Sequence, residues 1–428
     1  MSVSIPTGAN AWAVIDLTAI RDNVQTLQTA APTAQVMAVV KADGYGHGLV
    51  PAARAALAGG ATWLGTAQAD EALALRAAGI TDTRILTWLH TPDIEFSSLI
   101  AADIDVSISA AWSLDGVADA ARTLGRAARV HLLVDTGLGR NGIMPAELPE
   151  VALHAARLQA EGFIKVVGLW SHLAYADEPG HPAIEAQREV FDWADAALEV
   201  AGLHPEVRHI ANSAATLTAP ELHYDLVRPG IAIYGFSPVP QATPASGFML
   251  RPAMTLQARL ATVKEAPAGH GVSYSHLYST SEATRLGVVP LGYADGIPRH
   301  ASGDSVGSGG PVLVGDRVLR VAGRVCMDQF MLDLGPNAAE QAGSIVTLFG
   351  ATDGLTAGAV TPSAEDWAEA AETISYEIVT RIGSRVPRIY ADEADATAST
   401  RGKQENPLGV GASEAMELGG YDEESGHE

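Results

Sequence analysis

Lys41 closes the apolar run Gln35-Val36-Met37-Ala38-Val39-Val40 and opens the loop Ala42-Asp43-Gly44-Tyr45-Gly46-His47-Gly48. An amine at the mouth of a buried strand is poorly solvated. Desolvation disfavours its charged form, so a neutral, nucleophilic amine becomes available near neutral pH. Such a lysine suits Schiff-base chemistry with a carbonyl substrate or with pyridoxal phosphate. The glycines let backbone approach a bound group closely. A surface lysine snorkelling into water is the competing reading of this stretch taken alone.

Other residues with chemical capacity follow at intervals. Asn212 and Ser213, in Ala211-Asn212-Ser213-Ala214-Ala215, place a hydroxyl at a helix start, and Arg228-Pro229-Gly230-Ile231 offers bare backbone amides. Together they could hold a phosphate; separately, Ser213 reads as an N-cap and Gly230 as a turn. His172 is either a satisfied structural histidine or a ring against a planar cofactor. The thirteen histidines include no HExxH and no Cys/His cluster with ligand spacing, so no metal centre is expected. GxxxxGK[ST] is also absent, which disfavours NTPase chemistry.

The elements that must position these groups form a regular series. Eight apolar, β-rich runs recur: Val36–Val40, Thr62–Thr66, Arg84–Trp88, Ile104–Ile108, Val130–Val134, Val166–Trp170, Val207–Ile210 and Leu226–Tyr234. Helical spacing fills the gaps, as in Ala67–Ala78 and Ile184–Ala201. Buried parallel strands alternating with amphipathic helices predict a (β/α)8 barrel over residues 1–240, with an open doubly wound sheet as the alternative. In a barrel, functional groups sit at the carboxyl ends of strands. Lys41, Asp135, Arg140, His172, Asn212, Ser213, Arg228, Gly230 and Ile231 all fall there, whereas Asp82 and Asp103 precede strands and read as turn or capping residues. Ala13–Leu17 reads as a leading strand that need not join the barrel.

After Ser237-Pro238-Val239-Pro240 the pattern becomes strands and Gly turns: Met254–Glu265, Arg285–Tyr293, Val312–Val325, Phe330–Leu334 and Ser344–Phe349, with one helix near Ala364–Arg381. Residues 241–390 are therefore expected to form a second, mainly β domain. Residues 391–428 are acidic and poor in bulky apolar side chains, and are expected to be disordered.

With 428 residues the chain can bury two cores, and its formal net charge of −23 argues against a nucleic-acid groove or an anionic membrane surface. Cys326 is the single cysteine, so no internal disulfide can form and a reducing compartment is the simpler expectation. The first ten residues lack a basic and then apolar leader, and no apolar run is long enough to span a bilayer. A cytoplasmic protein is expected.

Several segments, in order, resemble the bacterial alanine racemases, fold-type III pyridoxal-phosphate enzymes. They are Val39–Gly48, Val134–Gly142, Ser171-His172, Ala211–Ala214, Val227–Ile231, Val272-Ser273-Tyr274, Gly292–Gly296 and Gly323–Asp328. The resemblance runs from about Ala11 to Tyr390. It implies a homodimer of barrel-plus-β chains, with pyridoxal 5'-phosphate on Lys41, two-base racemisation of L-alanine to D-alanine, and a place in D-alanine and cell-wall supply. By position, Lys41 would be one acid/base and Tyr274, from the partner subunit, the other. Tyr45, Ser213, Gly230, Ile231 and Tyr376 would hold the phosphate. His172 would lie near the pyridine ring and Arg228 would face its nitrogen. Arg140 and the backbone N–H of Met327 would hold the substrate carboxylate, and Tyr293 would line the entrance.

One position departs from the family pattern. Leu133 stands where many members carry a lysine, often carbamylated, whose negative charge orients the arginine corresponding to Arg140. Leucine cannot do this, so Arg140 is expected either to be held by another residue or a bound anion, or to be looser. Alternative readings within the fold are a broad-specificity or serine racemase, a decarboxylase of basic amino acids, and a catalytically weak homologue that sequesters the cofactor or a drug. The absence of the decarboxylase cysteine motif around Cys326 disfavours the decarboxylase.

Overall fold

The computed structural model describes residues 5–241, 247–351 and 360–391. Strand β1 (Ala11–Asp16) comes first, and the next eight strands form one all-parallel sheet. These are β2 (Gln35–Val39), β3 (Trp63–Thr66), β4 (Arg84–Thr87), β5 (Asp105–Ile108), β6 (Ala128–Leu133), β7 (Ile164–Trp170), β8 (Val207–His209) and β9 (Leu226–Val227). Their spatial order is β8-β7-β6-β5-β4-β3-β2-β9, so the last strand returns beside the first. Hydrogen bonds from Asp225 N to Arg208 O (3.1 Å) and from Arg228 N to Ala211 O (2.9 Å) link the two ends of this sheet. This is a nearly closed (β/α)8 barrel, not the open doubly wound alternative. Strands such as Trp63-Leu64-Gly65-Thr66 are buried at every position because helices cover one face and the barrel interior fills the other.

The final barrel strand is shorter than the apolar run Leu226–Tyr234. Pro229 has no N–H to donate, and the chain leaves the ladder and turns into a 3-10 helix at Ile231–Tyr234.

The remaining strands build the β domain: β10 (Met254–Arg259), β11 (Thr262–Ala266), β12 (Gly271–Val272), β13 (Tyr278–Ser279), β14 (Thr284–Val289), β15 (Pro311–Val314), β16 (Arg317–Arg320), β17 (Phe330–Gly335), β18 (Ile345–Phe349) and β19 (Arg388–Ala391). They form a six-stranded sheet of order β16-β15-β18-β10-β1-β19, a three-stranded sheet β11-β14-β17 and a ribbon β12-β13. Several sequence runs divide here. Met254–Glu265 is two strands in different sheets. Val312–Val325 contains the hairpin β15-β16, which turns at Gly315 with φ +63. The helix expected at Ala364–Arg381 is two, Ala364–Ala370 and Ser375–Thr380, parted at Glu372 with φ +54. Ala391 is not the start of a tail but pairs with Asp16 at the end of β19. The acidic segment 392–428 lies outside the described residues.

Strand β1 belongs to the β domain's sheet, antiparallel to β10 and parallel to β19. Asp16 ends it and caps the first barrel helix, Leu17–Ala30, by accepting from Ala19 N–H (2.9 Å), and also pairs with Arg251 (2.6 Å). Asn23 on that helix is buried. It donates to Ile233 O (3.2 Å) and Arg251 O (2.9 Å) and accepts from Arg251 N–H (2.8 Å), which fixes the barrel to the start of the β domain. No helix among the described residues is long and apolar enough to cross a membrane.

Candidate active site

A cavity of about 370 Å³ opens at the carboxyl ends of the barrel strands, within the size range of small-ligand sites. Lys41, Tyr45, Arg140, His172, Ser213, Arg228, Gly230, Ile231 and Tyr376 all line it. The structure thus gathers nine of the twelve residues given site roles, together with Asn212, and adds Trp88, Trp170 and Thr380, which carry no motif.

Lys41 enters this cavity from an unusual turn. The next four residues, Ala42, Asp43, Gly44 and Tyr45, all have left-handed φ, at 54°, 53°, 61° and 52°. Three of them carry a Cβ, so the turn costs roughly 1–2 kcal/mol per non-glycine residue. Side chains from elsewhere hold it. Glu71 accepts from Ala42 N–H (2.6 Å), and the Asp43 carboxylate accepts from Leu49 N–H (2.7 Å). The β domain clamps it from outside: Arg388 donates to Gly46 O (2.9 Å), and a Cβ on Gly46 would lie 2.3 Å from Val379 O. Burial, aided by Arg140, lowers the Lys41 amine from its ordinary value, against a smaller opposing effect of Glu71. Its Nζ stands 5.9 Å from the ring centroids of both Tyr45 and Trp88.

A cradle for an anion lies in the same cavity. Ser213 Oγ accepts N–H groups from Gly230 (2.8 Å) and Ala232 (3.3 Å). Asn212, not Ser213, caps the short helix Ser213–Thr218, accepting from Ala215 N–H, so the Ser213 hydroxyl is free to face the 230–232 turn. A Cβ on Gly230 would lie 2.3 Å from Tyr45 Oη, so only glycine lets the phenol reach this turn. Tyr45 is itself buried, 5.0 Å from Tyr234 between ring centroids, and its burial raises the phenol's pKa.

Arg228 is buried. Its Nη2 donates to Ser171 O (2.7 Å) and reaches His172 Nδ1 (3.4 Å), and its Nη1 donates to His209 Nδ1 (3.1 Å). The guanidinium lies 4.8 Å from the Trp170 ring centroid. Burial, with Arg140 nearby, pushes its pKa down to about 9, so it remains largely charged at neutral pH. His172 is pushed down to about 3 by burial and by Arg228, so it is neutral and can accept from that arginine. Arg140 sits on the loop after β6, held by Asp135, which accepts from Gly137 N–H (2.9 Å) and Gly139 N–H (3.1 Å). The Arg140 side chain makes no hydrogen bond or ion pair among the described residues, and Leu133, the last residue of β6, is buried and apolar.

Tyr274, Tyr293 and Met327 do not line this cavity. They lie together on the β domain. Tyr293 N–H donates to Cys326 O (3.0 Å) and Ala294 N–H to Met327 O (2.9 Å); Ser273 Oγ donates to Arg324 O (2.7 Å). All three are exposed: Tyr274 by 69%, Met327 by 54% and Tyr293 by 44%. Sequence reasoning missed Glu71, although its place three residues after Gln68 marks a capping box, and missed the tilted Trp88–Trp170 pair (5.9 Å between ring centroids), which leaves no spacing signal.

A recessed amine, a buried guanidinium and an anion cradle at the rim of a barrel, followed by a β domain, define a two-domain barrel enzyme. Residues 15–238 match the family described as alanine racemase, N-terminal domain, and residues 253–390 match alanine racemase, C-terminal domain. The chain belongs to the alanine racemase family. It is 57% identical over 387 residues to the alanine racemase of Streptomyces coelicolor, which covers 90% of this chain and 96% of that one. It superposes on the crystal structure of alanine racemase from D-cycloserine-producing Streptomyces lavendulae with a TM-score of 0.86 at 54% identity, over 91% of this chain and 99% of that one. The alanine racemase of Bacillus anthracis with bound L-Ala-P gives a TM-score of 0.80 at 35% identity, over 91% and 97%.

Proposed function

We propose that this protein interconverts L- and D-alanine with pyridoxal 5'-phosphate, as a homodimer in which each site is completed by the partner subunit. We place it in the cytoplasm, supplying D-alanine for the cell wall. The observation that carries this reading is the desolvated Lys41 amine sharing one cavity with the Ser213–Gly230–Tyr45 cradle and with Arg228. The residues fit the cofactor. Two backbone amides turn on one buried hydroxyl, and a phenol fills the space that a Cβ on Gly230 would take. Tyr45, Ser213, Gly230, Ile231 and Tyr376 would hold its phosphate, and His172 would pack against the ring.

Pyridoxal phosphate, when bound, supplies an electron sink that acidifies the Cα–H of the amino acid joined to it. Inverting a planar centre needs proton removal on one face and delivery on the other, and one group cannot reach both. Lys41 would hold the proton at Nζ on one face. Tyr274 of the partner subunit would hold it at Oη on the other. A phenol of ordinary pKa, about 10, is a poor base at neutral pH, so His172 or an arginine is expected to assist across the subunit boundary. Arg140 and the Met327 N–H would fix the substrate carboxylate. The charge on Arg228 opposes protonation of a ring nitrogen beside it, which limits side reactions such as transamination.

The test is deuterium exchange at Cα of purified holoprotein with L-alanine and other L-amino acids in deuterated water. Exchange of alanine with loss of optical activity is the expected result. A yellow protein that exchanges no amino acid would move the reading to cofactor or drug sequestration. Borohydride reduction should label Lys41, and sizing should give a dimer.

A further inference from the structure

The barrel interior holds a line of buried polar groups for which the racemisation scheme has no use. Asp105, at the start of β5, is wholly buried. Its Oδ2 accepts from Arg84 Nη2 (2.6 Å) and Nε (3.1 Å) and from His131 Nε2 (3.2 Å), while Oδ1 accepts from Arg129 Nε. His131 Nδ1 lies 3.0 Å from His209 Nε2, and His209 Nδ1 meets Arg228 Nη1 at 3.1 Å. An unbroken run of hydrogen bonds therefore links a carboxylate at the amino end of β5 to the guanidinium in the active-site cavity.

The line crosses a strand. His131 is on β6 and His209 on β8, with β7 between them. His131 pairs with Gly168 on β7, and Gly168 pairs with Val207 on β8. A Cβ on Gly168 would lie 2.0 Å from His131 Nδ1. Glycine inside a strand weakens it and marks a close approach; here the missing side chain is the opening through which the ring reaches His209. A register shift between Val130 and His131 sets the ring at this level.

The proton count along the line has one solution. Burial alone would raise the Asp105 carboxyl, but His131 and the arginines hold it below its ordinary value, so it only accepts. Arg228 only donates. Burial keeps both imidazoles neutral, and each neutral ring has one donor and one acceptor. Between an acceptor-only end and a donor-only end, both rings must carry hydrogen on Nε2 and leave Nδ1 bare.

We propose that Asp105 is a positioning residue for the racemisation centre: through His131 and His209 its carboxylate locks the tautomer that presents an acceptor to Arg228, and so holds the guanidinium in one orientation in the cavity. The activity part rests on the racemase reading above; the proton assignment does not.

The test uses holoprotein labelled with ring-15N histidine, wild type beside Gly168→Ala, which drives a methyl into the His131 ring. The wild type should show pyrrole-type Nε2 and pyridine-type Nδ1 at both His131 and His209. In Gly168→Ala the His209 resonances should move, and kcat should fall about tenfold with KM held within about twofold, the usual scale for an outer partner that orients an active-site group. The isosteric Asp105→Asn, which removes the charge, carries the same expectation if Gly168→Ala folds poorly. His209 protonated on Nδ1, or on both nitrogens, in the wild type would overturn the proposal. So would an unchanged kcat in a variant whose His209 resonances have moved, even with lowered thermal stability, because that marks a scaffold only. Tautomers as assigned in a holoprotein that exchanges no α-proton would sink the racemase reading and the role of Asp105 with it, leaving only the proton assignment.

Discussion

The barrel cavity and the Tyr274–Tyr293–Met327 edge of the β domain are built in opposite ways. In the cavity, Arg228, His172, Ser213 and Tyr45 are buried or nearly so, and bond or stack on one another. On the β-domain edge the three side chains make no hydrogen bond among the described residues and are exposed. Yet the backbone there is tightly held: Ser273, Ser275 and His276 have φ of 63°, 60° and 46°, and Ser273 is tied to Arg324. Non-glycine residues in this region cost of order 1–3 kcal/mol each and persist where function needs a fixed geometry. An exposed tyrosine on a strained, well-tied backbone serves no purpose in the chain's own cavity. It has one if a second copy brings its own cavity to it. Each chain then carries two unlike halves of two different sites.

The strongest way to break this comparison is to disable each half in separate chains. Lys41→Ala and Tyr274→Phe homodimers should each lose on the order of 10³-fold in kcat/KM. Mixed in equal amounts and re-equilibrated, they should recover about a quarter of wild-type activity per site, since half the dimers are mixed and each has one intact site. No recovery, in a mixture shown to contain mixed dimers, would place both residues in one chain's site.

Acid should separate the two halves next. His47 and His172 are pushed by burial from 6.5 to about 4 and about 3. Their folded pKa values lie below the unfolded value, so the unfolded chain takes up protons first as pH falls. The stabilisation is whole above about 6.5 and is lost as pH drops toward those folded values, at about 2 kcal/mol per ring by pH 5. Denaturant midpoints at pH 7 and pH 5 should differ accordingly, with hydrogen exchange rising first around Lys41–Gly48. Equal midpoints would show that these rings are charged in the folded state.

A smaller effect should follow from crowding the cradle. Gly230→Ala puts a methyl against Tyr45 Oη and should weaken cofactor retention by about tenfold, in line with 1–3 kcal/mol for overpacking. Equilibrium dialysis measures this, and unaltered retention would move the phosphate away from that turn. The smallest effect concerns Arg140. If its lack of a partner limits turnover, Leu133→Lys carbamylated in bicarbonate should raise kcat/KM by a few-fold, roughly the 0.5–1.5 kcal/mol of one added hydrogen bond from Arg140 to the carbamate. No change, with or without bicarbonate or chloride, would show that Leu133 costs nothing.

The barrel half was legible in the sequence because period and position coincide there: apolar runs end, and Lys41, His172 and Arg228 follow. What stayed hidden depends on contacts far apart in the chain. The left-handed turn at Ala42–Tyr45 is held by Glu71, Arg388 and the Ser375–Thr380 helix, none of them local. Ser213 read as a cap until Asn212 was seen to do that work. The Leu226–Tyr234 run looked like a strand because Pro229 interrupts its ladder without lowering its hydrophobicity. Nothing in the sequence pairs His131 with His209 across Gly168, and only the family resemblance sets Tyr274 apart from Lys41.

The pairing of β1 with β19 also orders events in time. Ala11–Asp16 leaves the ribosome early and Arg388–Ala391 hundreds of residues later, yet they are neighbours in one sheet. Because contacts so distant in sequence form late, the first strand must wait, unpaired on that side, until Arg388–Ala391 has been made. The clamp of Arg388 on the lysine loop is then among the last contacts made, so a nascent barrel is not yet competent.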